Sequence, residues 1–282
     1  MKFSIIIPTW NNLTYLKLCI KSIRLHSATM HQVLVHINEG SDGTANYLQH
    51  LIDTGDLDLQ YTTSPQNIGI CKAVNTVSRL ATTNYIVFMN DDMYCLPGWD
   101  TALAESIAQV PGDCFQISST MIEPYDTGNK CVIVGNYGRG EEDFDESRLL
   151  QQFSALPKKD WSGATWPPSV VHRKWWEAVG GYSEEFSPGM SSDDDFAMKM
   201  WQAGCRYYKG LGNSRVYHFI SKSTGRVVKN DGRRQFQQKW GLKQSAFHRY
   251  FLHRGEPYQG PLKTPPFTLG LVWSKLRSRL GV

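Results

Sequence analysis

The chain has 282 residues, 41% hydrophobic and 20% charged, enough apolar content to bury a core and too much for a disordered segment. No run approaches the 18 apolar residues of a membrane-spanning helix, and the apolar start at residues 3–7 is too short for a signal peptide. The six Cys are scattered without a CxxC pair, which argues against a zinc ribbon or a disulfide framework, so the expectation is a soluble, cytoplasmic protein with reduced thiols.

Residues 3–9, an Ile-rich run closed by Pro8 with Thr9 at its end, predict a buried parallel strand, and residues 12–25 place Leu13, Leu16, Ile20 and Ile23 at helical spacing. Residues 32–37 predict a second strand, ending in the polar turn Asn38-Glu39-Gly40-Ser41-Asp42-Gly43 before a helix over 44–52. A strand over 57–62, a helix over 68–80 entered through Asn67, and a strand over 84–89 running into Asn90-Asp91-Asp92 follow. A helix over 97–108 with Pro97 at its first turn and a strand over 114–118 complete the first 118 residues.

Strand–helix alternation of this length predicts a mostly parallel, doubly wound sheet with helices on both faces. Ligands of such sheets sit beyond the carboxyl ends of the strands. Three of those ends carry polar residues: Thr9, then Asn38 and Glu39, then Asn90 to Asp92. The second part is less regular. It predicts a short strand over 169–171, helices over 172–179, 195–203 and 232–240, and a strand over 207–217 that ends at His218.

Several motifs are missing. No GxGxxG follows the first strand, and GxxxxGK[ST], GxSxG and HExxH do not occur. Two acidic clusters and one histidine remain. Asp91-Asp92, just past a buried strand, offers carboxylates to a hard divalent cation, although strand ends also use Asp simply as turns and caps. Asp193-Asp194-Asp195 opens a helix, where Asp195 is expected to cap, and three adjacent carboxylates exceed what a cap needs. Mutual repulsion there would raise one pKa toward that of a general base. His218 at a strand end is a natural further ligand in the company of a metal, and otherwise a structural histidine.

These segments, taken in order, resemble the family-two inverting glycosyltransferases of the GT-A fold over residues 3–241. The resemblance rests on Ser4-Ile-Ile-Ile-Pro-Thr-Trp-Asn11, Asn38-Glu-Gly-Ser-Asp-Gly-Thr44, Asn67-Ile-Gly69, Phe88-Met-Asn-Asp-Asp-Met93, Val179-Gly-Gly-Tyr-Ser-Glu-Glu-Phe186 and Asp193-Asp-Asp-Phe196 through Gly204. It departs from the family at Asn38 and Asn90, where Asp is usual, and at Ser192, where many members carry Glu. The resemblance implies a catalytic domain over 1–241, with a nucleotide-binding part (1–118) and an acceptor-binding part (119–241), and a helical extension over 242–282.

The implied roles follow from the same positions. Thr9, Asn38, Glu39, Asn67, Asn90 and Asp91 would bind a UDP-, GDP- or dTDP-sugar donor. Asp92 and His218 would ligate Mn²⁺ or Mg²⁺. Asp193 would deprotonate a hydroxyl of a saccharide or lipid-linked acceptor, Trp161 and Trp166 would stack on that acceptor, and Lys222 and Arg226 would close over the diphosphate. A sugar nucleotidyltransferase is the alternative enzyme class, but it would show a Gly-rich basic loop where Pro8-Thr-Trp-Asn11 stands.

The net charge of +4 hides an asymmetry: residues 1–214 carry −8 and residues 215–282 carry +12. The basic part would meet an anion, and with no recognised nucleic-acid-binding fold, nucleic acid is not the expected one. Within 269–280, Leu269, Val272, Trp273, Leu276 and Leu280 form one apolar stripe flanked by Lys275, Arg277 and Arg279. That pattern suits a helix lying in an anionic membrane interface, or one docked on protein.

Overall fold

The computed structural model describes residues 1–221, 226, 228–266 and 270. Lys222 and the apolar stripe of 269–280 lie outside the described residues. The first part alternates as the pattern requires: β1 (Ser4–Trp10), α1 (Leu13–His26), β2 (Gln32–Asn38), α2 (Thr44–Thr54), β3 (Asp58–Ser64), α3 (Ile70–Ser78) and β4 (Tyr85–Phe88). Then come β5 (Met93–Cys95), α4 (Trp99–Ala108), β6 (Phe115–Glu123), β7 (Ile133–Val134), α5 (Glu146–Gln152), β8 (Trp161–Ser162) and β9 (Ser169–His172). The remainder is α6 (Arg173–Ala178), α7 (Ser192–Gln202), β10 (Tyr207–His218), α8 (Gly232–Trp240) and α9 (Gln244–Ala246), which runs into a π-helical turn at Phe247–Phe251.

One sheet collects the strands in the order β3-β2-β1-β4-β9-β6-β10-β5, with β7 beside β6 and β8 beside β10. β1 pairs in parallel with β2 on one side and β4 on the other. That position explains its continuous run of Ile, since both faces are covered. Ile5 and Ile7 enter one core with Leu16, Leu48 and Leu103. Ile6 points to the opposite core with Val74, Phe196 and Trp201. Phe247 and Leu252, beyond α8, are buried in that second core, so residues following 241 pack onto the sheet's helical layer.

The sheet departs from the expected parallel arrangement at three strands, one of them the two-residue β8, antiparallel to β10. β9 is inserted antiparallel between β4 and β6, and β5 runs antiparallel to β10. β5 has three residues, too short to leave a periodic signal, yet its register sets His218 opposite Met93, one residue past Asp92. Pro8 is tolerated in β1 because the β1–β4 pairing ends at Ile6, so its missing N–H leaves no gap in that ladder. Among the described residues no helix is long and apolar enough to cross a membrane.

Candidate active site

A cavity of about 230 Å³ opens where β1 and β4 diverge, the point at which strand order reverses. Pro8, Thr9, Asn38, Asn67, Asn90, Asp91, Asp92 and His218 are among its lining residues. Five of the six residues expected to bind a donor therefore share one wall. Thr9 donates to Asp91 Oδ2 at 2.7 Å, and Asn12 donates to Asp91 Oδ1 at 3.0 Å. Burial, reinforced by the neighbouring Asp92 charge, nonetheless pushes the Asp91 carboxyl up to about 7. Glu39 is the exception: it is exposed, with φ of 63°, and accepts from the Trp10 indole at 2.8 Å, outside the cavity lining. The carboxamide oxygen of Asn38 accepts the Ile68 backbone N–H at 3.0 Å and so ties β2 to the entry of α3.

Asp92 is 6% exposed and accepts the Ser221 backbone N–H at 2.8 Å. Ile220, a β-branched residue held at φ 54°, turns the chain so that this N–H faces the carboxylate. His218 Nε2 lies 3.5 Å from Asp92 Oδ1, while its Nδ1 lies 3.0 Å from Glu123 Oε1 at the end of β6. Burial raises the Asp92 carboxyl pKa, but the His218 charge and hydrogen bond outweigh it and leave the group below its usual range. Burial likewise disfavours charge on His218, and the Asp92 and Glu123 carboxylates reverse the effect, lifting the imidazole to about 10. A carboxylate holding the far nitrogen of an imidazole fixes its tautomer and direction, an arrangement typical of metal-ligating histidines. Among the described residues no three His, Cys, Asp or Glu side chains stand together as a closed metal site. Asp92 and His218 bring together a carboxylate oxygen and an imidazole nitrogen, donor types that Mn²⁺ or Mg²⁺ accepts.

At the start of α7 the three adjacent carboxylates have three different surroundings. Asp195 is fully buried and accepts from the Trp240 indole at 2.9 Å, with Lys239 Nζ also at 2.9 Å. It makes no capping bond, contrary to expectation; both α8 partners meet its Oδ1, and its buried Oδ2 has no hydrogen-bond partner among the described residues. Asp194 is 2% exposed and meets Arg254 Nη2 at 2.6 Å and His248 Nε2 at 2.9 Å, besides the Gln244 carboxamide. Burial works against its charge, but Arg254 and His248 hold the carboxyl far below the usual range. Asp193 is half-buried and accepts the Tyr182 hydroxyl at 2.7 Å. Burial pushes its carboxyl up to about 7, with Asp194 adding to the rise and Tyr182 and Arg254 opposing it.

Of Asp193 and Asp194, Asp193 is the one pushed up to about 7, the range that suits a general base. It is close to the donor cavity: Gly69 and Ile70 line that cavity, and the next residue, Cys71, feels the Asp193 charge. Trp161 is 4% exposed, donates to Thr120 Oγ1 at 3.0 Å and packs on Gly210, where any Cβ would sit inside the indole. Its faces belong to the core rather than to an acceptor. Trp166 is partly exposed, with the Arg254 guanidinium 4.2 Å from its ring centroid. Arg226 donates to the Trp10 carbonyl at 2.7 Å and stacks over the Trp10 ring, at one wall of the cavity. Sequence reasoning passed over Glu123, Tyr182, His248 and Arg254. Each is a lone residue of a common type whose partner lies 11 or more positions away, so no spacing marks it.

The glycosyl transferase family 2 model matches residues 4–130. Among curated proteins none matches this chain in sequence. Several solved structures share its fold. Staphylococcus aureus TarS 1–349 in complex with UDP-GlcNAc is 15% identical, with a TM-score of 0.57 over 84% of this chain and 64% of that one. GalNAc-T7 with UDP, GalNAc and Mn²⁺ is 12% identical, with a TM-score of 0.60 over 82% of this chain and 45% of that one. The mannosyltransferase PcManGT from Pyrobaculum calidifontis, with GDP-Man and Mn²⁺, is 17% identical, with a TM-score of 0.57 over 99% of this chain and 70% of that one. The chain spans about three-fifths of the TarS 1–349 structures it matches. The match to glycosyl transferase family 2 spans residues 4–130, which carry β1, the Asp91–Asp92 pair and Glu123, and the architecture is the GT-A fold that these solved structures share.

Proposed function

We propose that the protein is an inverting glycosyltransferase that moves a sugar from a nucleotide-sugar donor to a hydroxyl of a saccharide or lipid-linked acceptor, with a divalent cation. The observation that carries this reading is the Asp92–His218 pair lining the cavity at the sheet's switch point, with one carboxylate, Asp193, raised to about 7 close by. The family match over residues 4–130 supports the transferase class, and the UDP-GlcNAc and GDP-Man held by neighbours of the same fold support a nucleotide-sugar donor.

In this reading Thr9, Asn38, Asn67, Asn90 and Asp91 cradle the nucleoside, and Arg226 with Lys222 meets the diphosphate. Asp92 and His218 would hold Mn²⁺ or Mg²⁺, which when bound neutralises charge on the diphosphate. An Asp193 oxygen takes the proton of the acceptor hydroxyl as the hydroxyl oxygen bonds to the anomeric carbon. The bond from that carbon to the diphosphate oxygen breaks, its electron pair leaves with the nucleoside diphosphate, and configuration inverts. Trp166 offers the acceptor an apolar surface. The apolar stripe of 269–280 with its flanking Lys275, Arg277 and Arg279 would bring the chain to the cytoplasmic face of an anionic membrane, where lipid-linked acceptors reside; co-sedimentation with anionic vesicles checks this.

The test is a panel of UDP-, GDP- and dTDP-sugars incubated with Mn²⁺ or Mg²⁺ and again with a chelator. Metal-dependent hydrolysis or transfer from one nucleotide series, with the anomeric configuration inverted in the product, is the expected result. Absence of binding and turnover across the panel would overturn the reading.

A further inference from the structure

We propose that Arg254 is a positioning residue for glycosyl transfer: its guanidinium engages Asp194 and, through the peptide joining Asp193 to Asp194, fixes how Asp193 meets the acceptor. The inference rests on Asp193 acting as the base. It goes further because Arg254 lies beyond α9, in chain that neither the family match nor the resemblance over 3–241 includes.

Geometry carries the argument. Asp194 is the most heavily bonded of the three α7 carboxylates, and it is held from two directions. Arg254, His248 and Gln244 arrive from the segment after α8, and the Thr165 hydroxyl stands 3.4 Å away in the loop before β9. A carboxylate gripped in this way fixes its own backbone, and Asp193 shares that backbone. Arg254 is itself immobilised. Its side chain is 9% exposed, lies over the Trp166 ring and also bonds Thr165 Oγ1.

Its backbone is pinned as well. Arg254 N donates to the His248 carbonyl at 3.0 Å, and Gly255 N donates to the Ser162 carbonyl at 3.0 Å. Ser162 N returns a bond to the Glu256 carbonyl at 2.8 Å. Gly163, at φ 82°, permits the approach, because a Cβ there would stand 2.8 Å from Arg254 Cα. A planar fork that bonds two oxygens while stacking on an indole is a task for arginine, and lysine cannot reproduce it.

The arrangement also separates the roles of the two carboxylates. Asp193 faces Tyr182 from the turn before α7, Cys71 from α3, Asp194 from its own helix and Arg254 from the C-terminal segment. Removing the Arg254 cation should raise the Asp193 titration midpoint, and removing the Asp194 anion should lower it. Each shift should be about one unit, the lower end for a nearby charge.

The experiment is a titration of the full-length chain carrying ¹³C-carboxyl-labelled aspartate. The Asp193 signal is assigned by its loss in Asp193→Asn. Arg254→Gln should move its midpoint up, Asp194→Asn should move it down, and the double variant should return it close to wild type. The acid limb of the kcat profile should follow the same order, with donor affinity unchanged. Arg254→Lys keeps the charge, so it should leave the midpoint near wild type while lowering kcat about 10- to 100-fold through misplacement. If both single variants merely lower the melting temperature and leave the midpoint in place, Arg254 is structural and the proposal falls. If the wild type turns over no nucleotide sugar, the reading of Asp193 as base falls, while the titration still reports on Arg254.

Discussion

Asp91–Asp92 at the end of β4 and Asp193–Asp194 at the start of α7 are both adjacent, largely buried carboxylates. In each pair one member is pushed up to about 7, chiefly by burial, and the other is held down by a cation. The cations differ. Asp92 faces a histidine, a group that can also serve as a neutral ligand, and Asp194 faces an arginine, which stays charged at any working pH. Under the proposed function, the first pair would exchange its partner for an incoming cation and diphosphate. The second is neutralised from within the fold, which would leave Asp193 to handle a proton.

The largest expected effect lies in the second pair. Asp193→Asn keeps the shape and a hydrogen-bond acceptor for Tyr182, so the fold and donor binding should survive. Turnover should fall by about 10²–10⁴, the range for losing a general base. Steady-state transfer assays with calorimetry of donor binding check this. If Asp194→Asn is the more damaging of the two, the roles within the pair are reversed.

In the first pair, Asp92→Ala should abolish the Mn²⁺-dependent part of nucleoside diphosphate binding, and His218→Ala should weaken it. Glu123→Gln, which loosens only the support of the imidazole, should cost about 10- to 100-fold in metal affinity. Calorimetry with and without Mn²⁺ reads all three. Unchanged metal dependence in Asp92→Ala would remove the contrast between the pairs.

The smallest effect concerns acid stability. The Asp194 carboxyl sits below its unfolded value, which is about 3.9. Its contribution is therefore fully present above that value and is lost as pH falls toward its folded pKa, because the unfolded chain then binds more protons. The wild-type melting temperature should drop below pH 4. Asp194→Asn should start lower and lose less over the same interval. Parallel acid profiles for the two proteins would show that the Arg254 pair carries no pH-dependent stability.

Much of this was legible in sequence because it is local. The runs of β1, β2 and β4 and the helical spacing of α1 follow from residues at most a few positions apart. So does the delivery of Asn90 to Asp92 past a strand end. The same holds for α8, whose bounds are Gly232–Trp240 in both readings. His218 was placed at a strand end by the run before it, though nothing local says that the strand ends beside Asp92. That depends on β5, three residues whose antiparallel register with β10 is set by the whole sheet.

The amino-acid sequence by itself determined the order of elements, the two acidic clusters and the edge of the sheet on which they fall, since periodicity and strand ends are properties of neighbouring residues. Tertiary structure decided which partners each carboxylate meets. Asp193, Asp194 and Asp195 are equivalent in sequence, and they differ because Tyr182, Arg254 and Lys239 reach them from three separate segments. It also decided that Trp161 is core, through its contact with Gly210, while Trp166 stays partly open. Charge and burial act through space, and partners some 60 positions apart, such as Asp194 and Arg254, leave no pattern along the chain.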